Sequence, residues 1–353
     1  MTQFTIFWVL LPLVLGFTSY LLPAIARWSS LLTAIASTAY ALRCILYPQA
    51  IEIQLLDSFG VTLLSDQLGG YFILTNALVT AAVTLYCWSS DRQAYFYTPM
   101  MILHGSINAV FIAADLITIY VGLEVISIAA FLLMVDAQSD RSLWVGLRYL
   151  LVSNAAMLFY LMGAGLVYQS NESFALAGIQ NAPTEAIALL LVGLLAKGGI
   201  FVSGLWLPFT HGEVAAPVSA LLSGSVIKAG VLPLVRFSLM FADIAPILQW
   251  LSVCTAILGV SLAIFQTDTK RVLALSTLSQ MGFILINPLN AGIYALTHGV
   301  AKAALFLMAG QLPSRDFRRF LGFLPPLAKS IVRPNCPWVD SDRWVRLGQL
   351  DNG

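Results

Sequence analysis

Four charged side chains interrupt long apolar stretches of this 353-residue sequence, namely Glu124, Lys197, Lys228 and Lys302. Placing a charge at the centre of a lipid bilayer costs at least about 2.5–3.5 kcal/mol, so such residues need a reason to be there. A lysine without a counter-charge in an apolar site also loses its proton readily. The residue types therefore predict a set of groups that take up and release protons. The alternative, a static ion pair between Glu124 and one lysine, leaves the other two lysines unexplained.

Two histidines extend this chemistry to different degrees. His298 precedes Lys302 by four residues, so the two side chains share one face of a helix. An imidazole ring can accept a proton at one nitrogen and release it from the other, which indicates a relay. His104 has no charged helical neighbour, although Asn108 lies one turn later. A structural hydrogen bond is the simpler interpretation of His104.

Glycine and proline cluster beside two of the buried lysines. Both residue types weaken the backbone ladder of a helix, and freed carbonyls are tolerated at membrane depth only against protein or water. Broken helices beside ionisable groups indicate a transport site, whereas ordinary glycine-mediated packing is the alternative for any single glycine. The residues are Gly198, Gly199, Ser203, Gly204 and Pro208 after Lys197, and Gly224, Gly230 and Pro233 around Lys228.

The elements that position these residues are predicted to be transmembrane helices. The sequence is 59% hydrophobic and 10% charged, against roughly 25% charged residues in soluble domains. We expect an all-α integral membrane protein of about eleven helices, the first of them retained rather than cleaved as a signal peptide. The predicted helices are 4–22, 28–47, 69–89, 97–114, 116–135, 145–168, 185–207, 215–240, 244–266, 271–289 and 291–312.

Composition and motifs also exclude several classes of function. The net charge of +1 gives no indication of nucleic-acid binding. The cysteines match no metal or redox spacing, and no glycine-rich nucleotide motif or C-x-x-C pair is present, so we expect neither a metal nor a cofactor. Sodium sites use oxygen ligands, and the oxygen-bearing side chains Glu124, Asp115, Ser127 and Ser153 are insufficient to argue for one.

The motifs resemble those of a known family, the antiporter-like subunits of respiratory complex I and the large subunits of Mrp-type sodium/proton antiporters. The similarity covers about residues 60–312. Its motifs are Lys197 with Trp206-Leu207-Pro208, His211, Ala216 to Leu222, Lys228, Gly230 and Arg236; Asp268 to Ser276 with Ser279 to Gly282; His298 to Phe306; and the helix with Asp115 and Glu124. Val202 and Gly204 stand where the family usually has Pro and His.

This resemblance implies a fold and a role for each matching residue. The fold would contain two inverted repeats, with a first repeat at 97–240 and a shortened second one at 244–312, between N-terminal helices at 1–96 and a polar cytoplasmic tail at 313–353. Glu124 and Lys197 would be a gating charge pair, Lys228 the internal relay, and Lys302 with His298 the central lysine. Asp115, His211, Trp206 and Pro208 would support them, and a partner membrane chain would pack against 291–312.

Three functions compete at this stage. The chain would be a proton-translocating subunit of a cation/proton antiporter complex, a membrane subunit of an NAD(P)H–quinone oxidoreductase whose redox chemistry lies in other chains, or a non-conducting scaffold. The chains that accompany it distinguish the first two functions. In each case the partners are other membrane subunits.

The distribution of basic residues predicts the orientation. With the N-terminus outside, thirteen Lys and Arg residues fall in inner loops or the tail, two fall outside and three lie within spans, as the positive-inside rule requires. We therefore expect protease added to the outer face of oriented vesicles to spare the Arg315–Arg346 segment. Cleavage there from outside, with an external loop site as the positive control, would contradict this orientation.

Overall fold

The computed structural model describes residues 2–56, 60–89, 94–135 and 139–316, which form a helical bundle with one short hairpin. The helices are α1 (Thr2–Leu21), α2 (Ala26–Leu46), α3 (Gln67–Tyr86), α4 (Ala94–Ile112), α5 (Leu116–Met134), α6 (Asp140–Asn171), α7 (Thr184–Lys197), α8 (Trp206–Glu213), α9 (Ala216–Leu221), α10 (Ile227–Met240), α11 (Ala245–Ile264), α12 (Thr269–Ile286) and α13 (Ala291–Ala309). A π-helical segment, Leu222–Val226, joins α9 to α10, and short 3₁₀ turns lie at Pro23–Ile25, Leu176–Asn181, Phe201–Gly204 and Pro288–Asn290. The strands are β1 (Ile51–Leu56) and β2 (Gly60–Ser65).

The bundle has the dimensions and surface of an integral membrane protein. Within the described ranges, nine helical segments are long and apolar enough to cross a bilayer. Helices α4 and α12 match predicted spans but are not among the nine, so the predicted total of about eleven stays a prediction. Large apolar side chains are exposed on the outside of the bundle, including Leu151 at 68% and Trp250 at 73%. Such exposure is normal for a lipid-facing surface and costly for one in water.

The α9–π–α10 segment occupies the centre of the bundle. Every residue from 216 to 238 is buried. A helix that is apolar all round is surrounded by protein rather than by solvent or lipid. Pro217 stands in the first turn of α9, where a missing backbone N–H costs nothing. Lys228 therefore lies on a helix that has no lipid-facing side along that length.

The predicted helix at 185–207 is broken in the structure, directly after Lys197. Helix α7 ends at that residue, and the chain then passes through Gly199, whose backbone φ is +61°. A glycine reaches this left-handed region without steric cost. The short helix α8 then begins at Trp206. The segment Thr184–Gly204 is still one candidate membrane span, but its regular helix ends ten residues before the predicted end at 207. The break lies at the glycines after Lys197, where the sequence indicated a weak point.

The second weakened segment, predicted at 215–240, runs continuously in the structure but contains the π turn immediately before Lys228. A π turn holds one residue more than an α turn and frequently marks a functional site. The predicted helix at 145–168 is longer than expected, because Ser139 caps its start and accepts the Ser142 N–H at 3.3 Å.

Short structures outside the helices fix where several of them begin. Asp66 and Asp115 accept backbone N–H groups at 2.8 and 2.7 Å, at the starts of α3 and α5 respectively. The antiparallel hairpin β1–β2 fills the connection between α2 and α3, for which no strands were predicted. Asp115 also accepts the Thr62 N–H of β2 at 2.7 Å. The sequence-based interpretation of Asp115 as a loop-fixing residue agrees with these contacts.

Two ion-pair groups hold opposite ends of the helices together. Near the end of α10, Arg236 forms two hydrogen bonds of 2.8 and 3.0 Å with the Asp66 carboxylate, and the guanidinium is 7% exposed. The other group is centred on Glu213, which lies 2.8 Å from Arg141 and 3.8 Å from Arg271. Through these contacts the start of α3 is tied to α10, and the end of α8 is tied to α6 and α12.

His104 lies in a buried polar network that joins the N-terminal helices. Its Nε2 is 2.8 Å from Ser37 Oγ, and its Nδ1 is 2.9 Å from Thr80 Oγ1. Ser37 already accepts hydrogens from Trp8 and Asn108. Ser37 therefore directs its own hydrogen to Nε2, so Nδ1–H of a neutral ring donates to Thr80. This arrangement satisfies a neutral imidazole and agrees with the structural interpretation of His104.

We expect His104→Leu to lower the stability of the bundle. The change leaves the Ser37 and Thr80 hydroxyls without their partner, at a cost of about 1–3 kcal/mol for unsatisfied buried groups. His104→Gln, which can still donate and accept, should lose less. Reversible unfolding in mixed detergent micelles measures both variants. Equal stability of the Leu variant and the unmodified protein would contradict the structural role.

Candidate functional site

Glu124 lies in the middle of α5, and its two carboxylate oxygens have different surroundings. In the amide orientation that pairs donors with acceptors, Asn154 Nδ2 of α6 donates to Glu124 Oε2 and to Leu150 O, both at 3.2 Å. The other oxygen, Oε1, is buried and has no hydrogen-bond partner. A carboxylate with one oxygen held and one free can accept a proton without losing its anchor.

Lys197 contacts residues that lie just before and just after Glu124 in α5, but it does not form an ion pair with Glu124. The ammonium donates to Leu123 O at 3.1 Å and to the hydroxyl of Ser127. The ion pairs found among the described residues do not include Glu124 with Lys197. The lysine also stands at the last position of α7, where the helix dipole favours a positive charge. The two groups predicted to form a gating pair are therefore neighbours in a separated arrangement.

A cavity of about 20 Å³ lies beside Lys197. This is enough for one water molecule, which needs roughly 10–15 Å³ and two or more polar partners. Polar groups in the wall include Lys197, Ser153, Tyr149 and the indole of Trp206. Trp206 is fixed by a hydrogen bond from its Nε1 to Ala196 O at 3.2 Å and packs against Tyr149 at a ring-centre distance of 5.1 Å. The lysine thus has free volume on one side.

Lys228 is fully buried and has three acceptors for the three hydrogens of an ammonium group. Its Nζ is 3.1 Å from Ser223 O, 2.7 Å from Gly224 O and 3.3 Å from His298 Nδ1. Both carbonyls belong to the π turn. The π turn leaves these carbonyls free to accept from a side chain of the next turn.

His298 of α13 is buried and contacts Lys228 through its Nδ1. Since Nδ1 accepts from Lys228, a neutral ring carries its hydrogen on Nε2, which is buried and has no partner. A proton passed from Lys228 to Nδ1 would make the ring an imidazolium, and the Nε2–H would then be the group free to release a proton. The relay role predicted from the sequence stays a prediction, and the contact with Lys228 is compatible with it.

Lys302, one turn after His298, donates to Ser276 Oγ at 2.5 Å and to Leu273 O at 3.3 Å, both on α12. His211 stacks on Phe306 with ring centres 4.6 Å apart, and neither of its nitrogens has a hydrogen-bond partner. Pro208 is buried within the same short helix, α8.

The predicted site residues thus form two groups that meet at a close backbone contact. One group contains Glu124 and Lys197, and the other contains Lys228, His298 and Lys302. A Cβ placed on Gly230 would lie 2.5 Å from the Lys197 carbonyl carbon, so only glycine allows α10 to approach the end of α7. Asp115 lies apart from both groups, at the start of α5.

Sequence reasoning missed the neutral polar side chains that hold the charged ones. Ser127 contacts Lys197, Ser276 contacts Lys302, and Asn154 contacts Glu124. The spacing of Ser127, three residues after Glu124, indicated a shared helix face. For Ser276 and Asn154 the partner lies on another helix, and a single sequence gives no signal for such a pairing.

Comparison with known proteins connects this arrangement to a family. Residues 113–324 match the family described as "NADH:quinone oxidoreductase/Mrp antiporter, TM". The chain is 31% identical over 320 residues to NAD(P)H-quinone oxidoreductase chain 4 3 of Picosynechococcus, covering 80% of this chain and 58% of the relative. It is 29% identical over 282 residues to NADH-quinone oxidoreductase subunit N of Desulforudis audaxviator, covering 71% of this chain and 56% of that protein. The chain thus spans less than two thirds of the length of these curated relatives.

Solved structures share the fold. A chain of the archaeal membrane-bound sulfane sulfur reductase superposes with a TM-score of 0.81 at 20% identity, covering 94% of this chain and 77% of that one. A chain of the Mrp complex from Dietzia has a TM-score of 0.78 at 22% identity, covering 88% and 65%. A chain of respiratory complex I from Thermus thermophilus gives 0.74 at 22%, covering 88% and 71%.

We expect Gly230→Ala to disrupt the contact between the two groups of site residues. The added Cβ meets backbone atoms of α7, which cannot move aside as a flexible side chain would. Overpacking of this kind costs typically 1–3 kcal/mol. The matched control is Gly165→Ala on α6, where a Cβ would meet nothing within 4 Å. Unfolding in mixed micelles should separate the two variants, and equal stability would contradict the close approach.

Proposed function

Because the chain belongs to the NADH:quinone oxidoreductase/Mrp antiporter transmembrane family, we propose that it is a proton-translocating membrane subunit of a cation/proton antiporter complex of the Mrp type. The observation that carries this proposal is the contact of Lys228 with His298 at 3.3 Å, on a central helix that is buried all round. A proton that moves between two such groups does not pass through lipid or bulk water. The relay residues are Glu124, Lys197, Lys228, His298 and Lys302.

The relay has a definite order. Glu124 takes up a proton and, when the two side chains meet, passes it to Lys197 in its neutral amine form. The ammonium that results gives up a proton through water toward the neutral amine of Lys228, which restores the Lys197 amine. Lys228 then passes a proton to His298 Nδ1: its N–H bond breaks as the new N–H bond of the imidazolium forms. The imidazolium releases the proton from Nε2 toward Lys302, one turn further along α13. Asp115, the partly buried Trp206 and the buried Pro208 and His211 hold the surrounding backbone in place.

A subunit of an NAD(P)H–quinone oxidoreductase is the alternative, because relatives with that printed name share about 31% identity with this chain. The proton relay would be the same, and the energy source would lie in partner chains. We propose in either case that other membrane subunits cover part of this chain. The chains that co-purify in mild detergent distinguish the two assemblies. A scaffold without conduction is the remaining alternative.

We further propose that the N-terminus faces outward and that the region beyond α13 is cytoplasmic. The basic residues Arg141, Arg271 and Arg315 gather around the end of α8, where Arg315 donates to Gly212 O at 2.8 Å. Concentrated basic charge favours the cytoplasmic side.

We expect Glu124→Ala and Lys197→Ala each to abolish proton flux while leaving the amount of protein nearly unchanged. Each variant removes one group of the proton entry, and the remaining helix contacts are kept. Glu124→Asp should retain part of the flux, because its carboxylate can still reach the pathway through water. The measurement is proton uptake by vesicles that contain the whole complex.

The matched control is Glu185→Ala. Glu185 is an exposed carboxylate in the first turn of α7, and it contacts none of the relay residues. Its flux should equal that of the unmodified complex. Unmodified flux in either the Glu124→Ala or the Lys197→Ala variant would exclude the relay and favour the scaffold.

A further inference from the structure

We propose that Ser127 and Asn154 form a two-sided latch that holds Lys197 and Glu124 apart, and so sets the equilibrium between a separated and a paired state of these charges. This inference rests on the proposed function, in which the meeting of the two charges controls proton entry. It assigns roles to two neutral residues that are not themselves proton carriers. Both are positioning residues.

The first side of the latch is Ser127. Its hydroxyl accepts from the Lys197 ammonium and can donate its own hydrogen to Leu123 O at 2.8 Å or to Ser153 Oγ at 3.1 Å. A hydroxyl has one hydrogen and two lone pairs, so all three contacts are compatible with its chemistry. Ser127 is 0% exposed. The ammonium is therefore held by a hydroxyl whose position is fixed from two directions.

The second side is Asn154. Its amide nitrogen holds Glu124 Oε2 from α6, while Lys197 is held by α5 alone. Each charge thus has a neutral partner of its own. Hydrogen bonds to charged groups are stronger than those between neutral groups, so the neutral partners compete with a direct ion pair between Glu124 and Lys197.

The surroundings allow the paired state as well. Glu124 Oε1 is buried without a partner and can accept a hydrogen bond from the ammonium. The cavity of about 20 Å³ beside Lys197 gives the side chain room to move. The two acceptors of Lys197 belong to Leu123 and Ser127, which lie one residue before and three residues after Glu124 on α5. Movement of the lysine side chain toward Glu124 would exchange the hydroxyl for the carboxylate, and a ligand or proton that favours one of the two states shifts the population between them.

Removal of either side should drive the charges together. In Ser127→Ala the ammonium loses an acceptor, and in Asn154→Leu the carboxylate loses a donor; the nearest replacement in each case is the opposite charge. We therefore expect stronger thermodynamic coupling between Glu124 and Lys197. The coupling is measured by a double-mutant cycle of Glu124→Gln and Lys197→Met, using reversible unfolding in mixed micelles. The coupling constant should rise about fivefold or more in both backgrounds.

The controls separate the latch from general loss of packing. Ser127→Thr keeps the hydroxyl and should leave the coupling at its original value. Ser252→Ala removes a serine that is equally buried and bonds to its own i−4 carbonyl on α11, but does not touch a charge. This variant should also leave the coupling unchanged.

Flux measurements on the whole complex complete the test. Proton flux should fall in Ser127→Ala and recover in Ser127→Thr, because a pair held closed releases protons slowly. Unchanged coupling in both latch variants, or an equal rise in Ser252→Ala, would overturn the latch. If coupling rises while Lys197→Ala conducts normally, the latch stands as a device for holding the charges and the proposed function fails.

Discussion

The desolvation of three ammonium groups at bilayer depth is the constraint on which the rest of the structure depends. A buried charge is tolerated only where hydrogen-bond acceptors surround it, and a regular helix uses its own carbonyls internally. The bundle supplies acceptors where helices are irregular or carry hydroxyls. Lys197 stands at a helix end, Lys228 beside a π turn, and Lys302 against a serine of the neighbouring helix. The irregular backbone beside Lys197 and Lys228 and the serine beside Lys302 are therefore what allows these charges to be buried.

Two buried histidines in this chain show how the surroundings determine what a side chain can do. Both ring nitrogens of His104 face polar groups already arranged for a neutral imidazole, and no lysine contacts the ring. His298 has a lysine on one nitrogen and a free second nitrogen. A proton added to Nε2 of His104 would face the donor groups of Ser37 and Asn108. A proton added to Nδ1 of His298 would leave the N–H at Nε2 without a hydrogen-bond partner, and this N–H could release a proton. The same residue type packs among neutral groups in one place and contacts a buried lysine in the other, where we propose a relay.

The charged candidate site residues and the class of fold could be identified from the sequence because both follow from local composition. Apolar stretches of about twenty residues predict spans, and a charge inside one is conspicuous. Glycine and proline after Lys197 correctly indicated a weak point. The predicted end of the helix at 207 was too late because apolarity persists through Phe201 and Val202, although the backbone turns at Gly199. Hydropathy measures the environment of a segment and not its conformation.

The neutral partners could not be predicted in the same way. Serine and asparagine are common in membrane helices, and their meaning depends on which helix lies opposite. The bidentate contact between Asp66 and Arg236 joins residues 170 positions apart, both of which were predicted to lie in outer loops or at span ends. The hairpin was also missed, since six-residue strands in a connecting loop give a weak pattern beside long apolar helices.

The π turn has a geometric consequence for the whole of α10. Were residues 216–240 wound as an uninterrupted α-helix, one fewer residue would fit into the turn, and everything after it would be rotated by about 100° relative to α9. Lys228 would then turn away from His298, and Arg236 would turn away from Asp66. A single additional residue thus sets the angular phase between the two halves of the central helix. The position of Arg236 and the direction of Lys228 both follow from this one extra residue in the π turn.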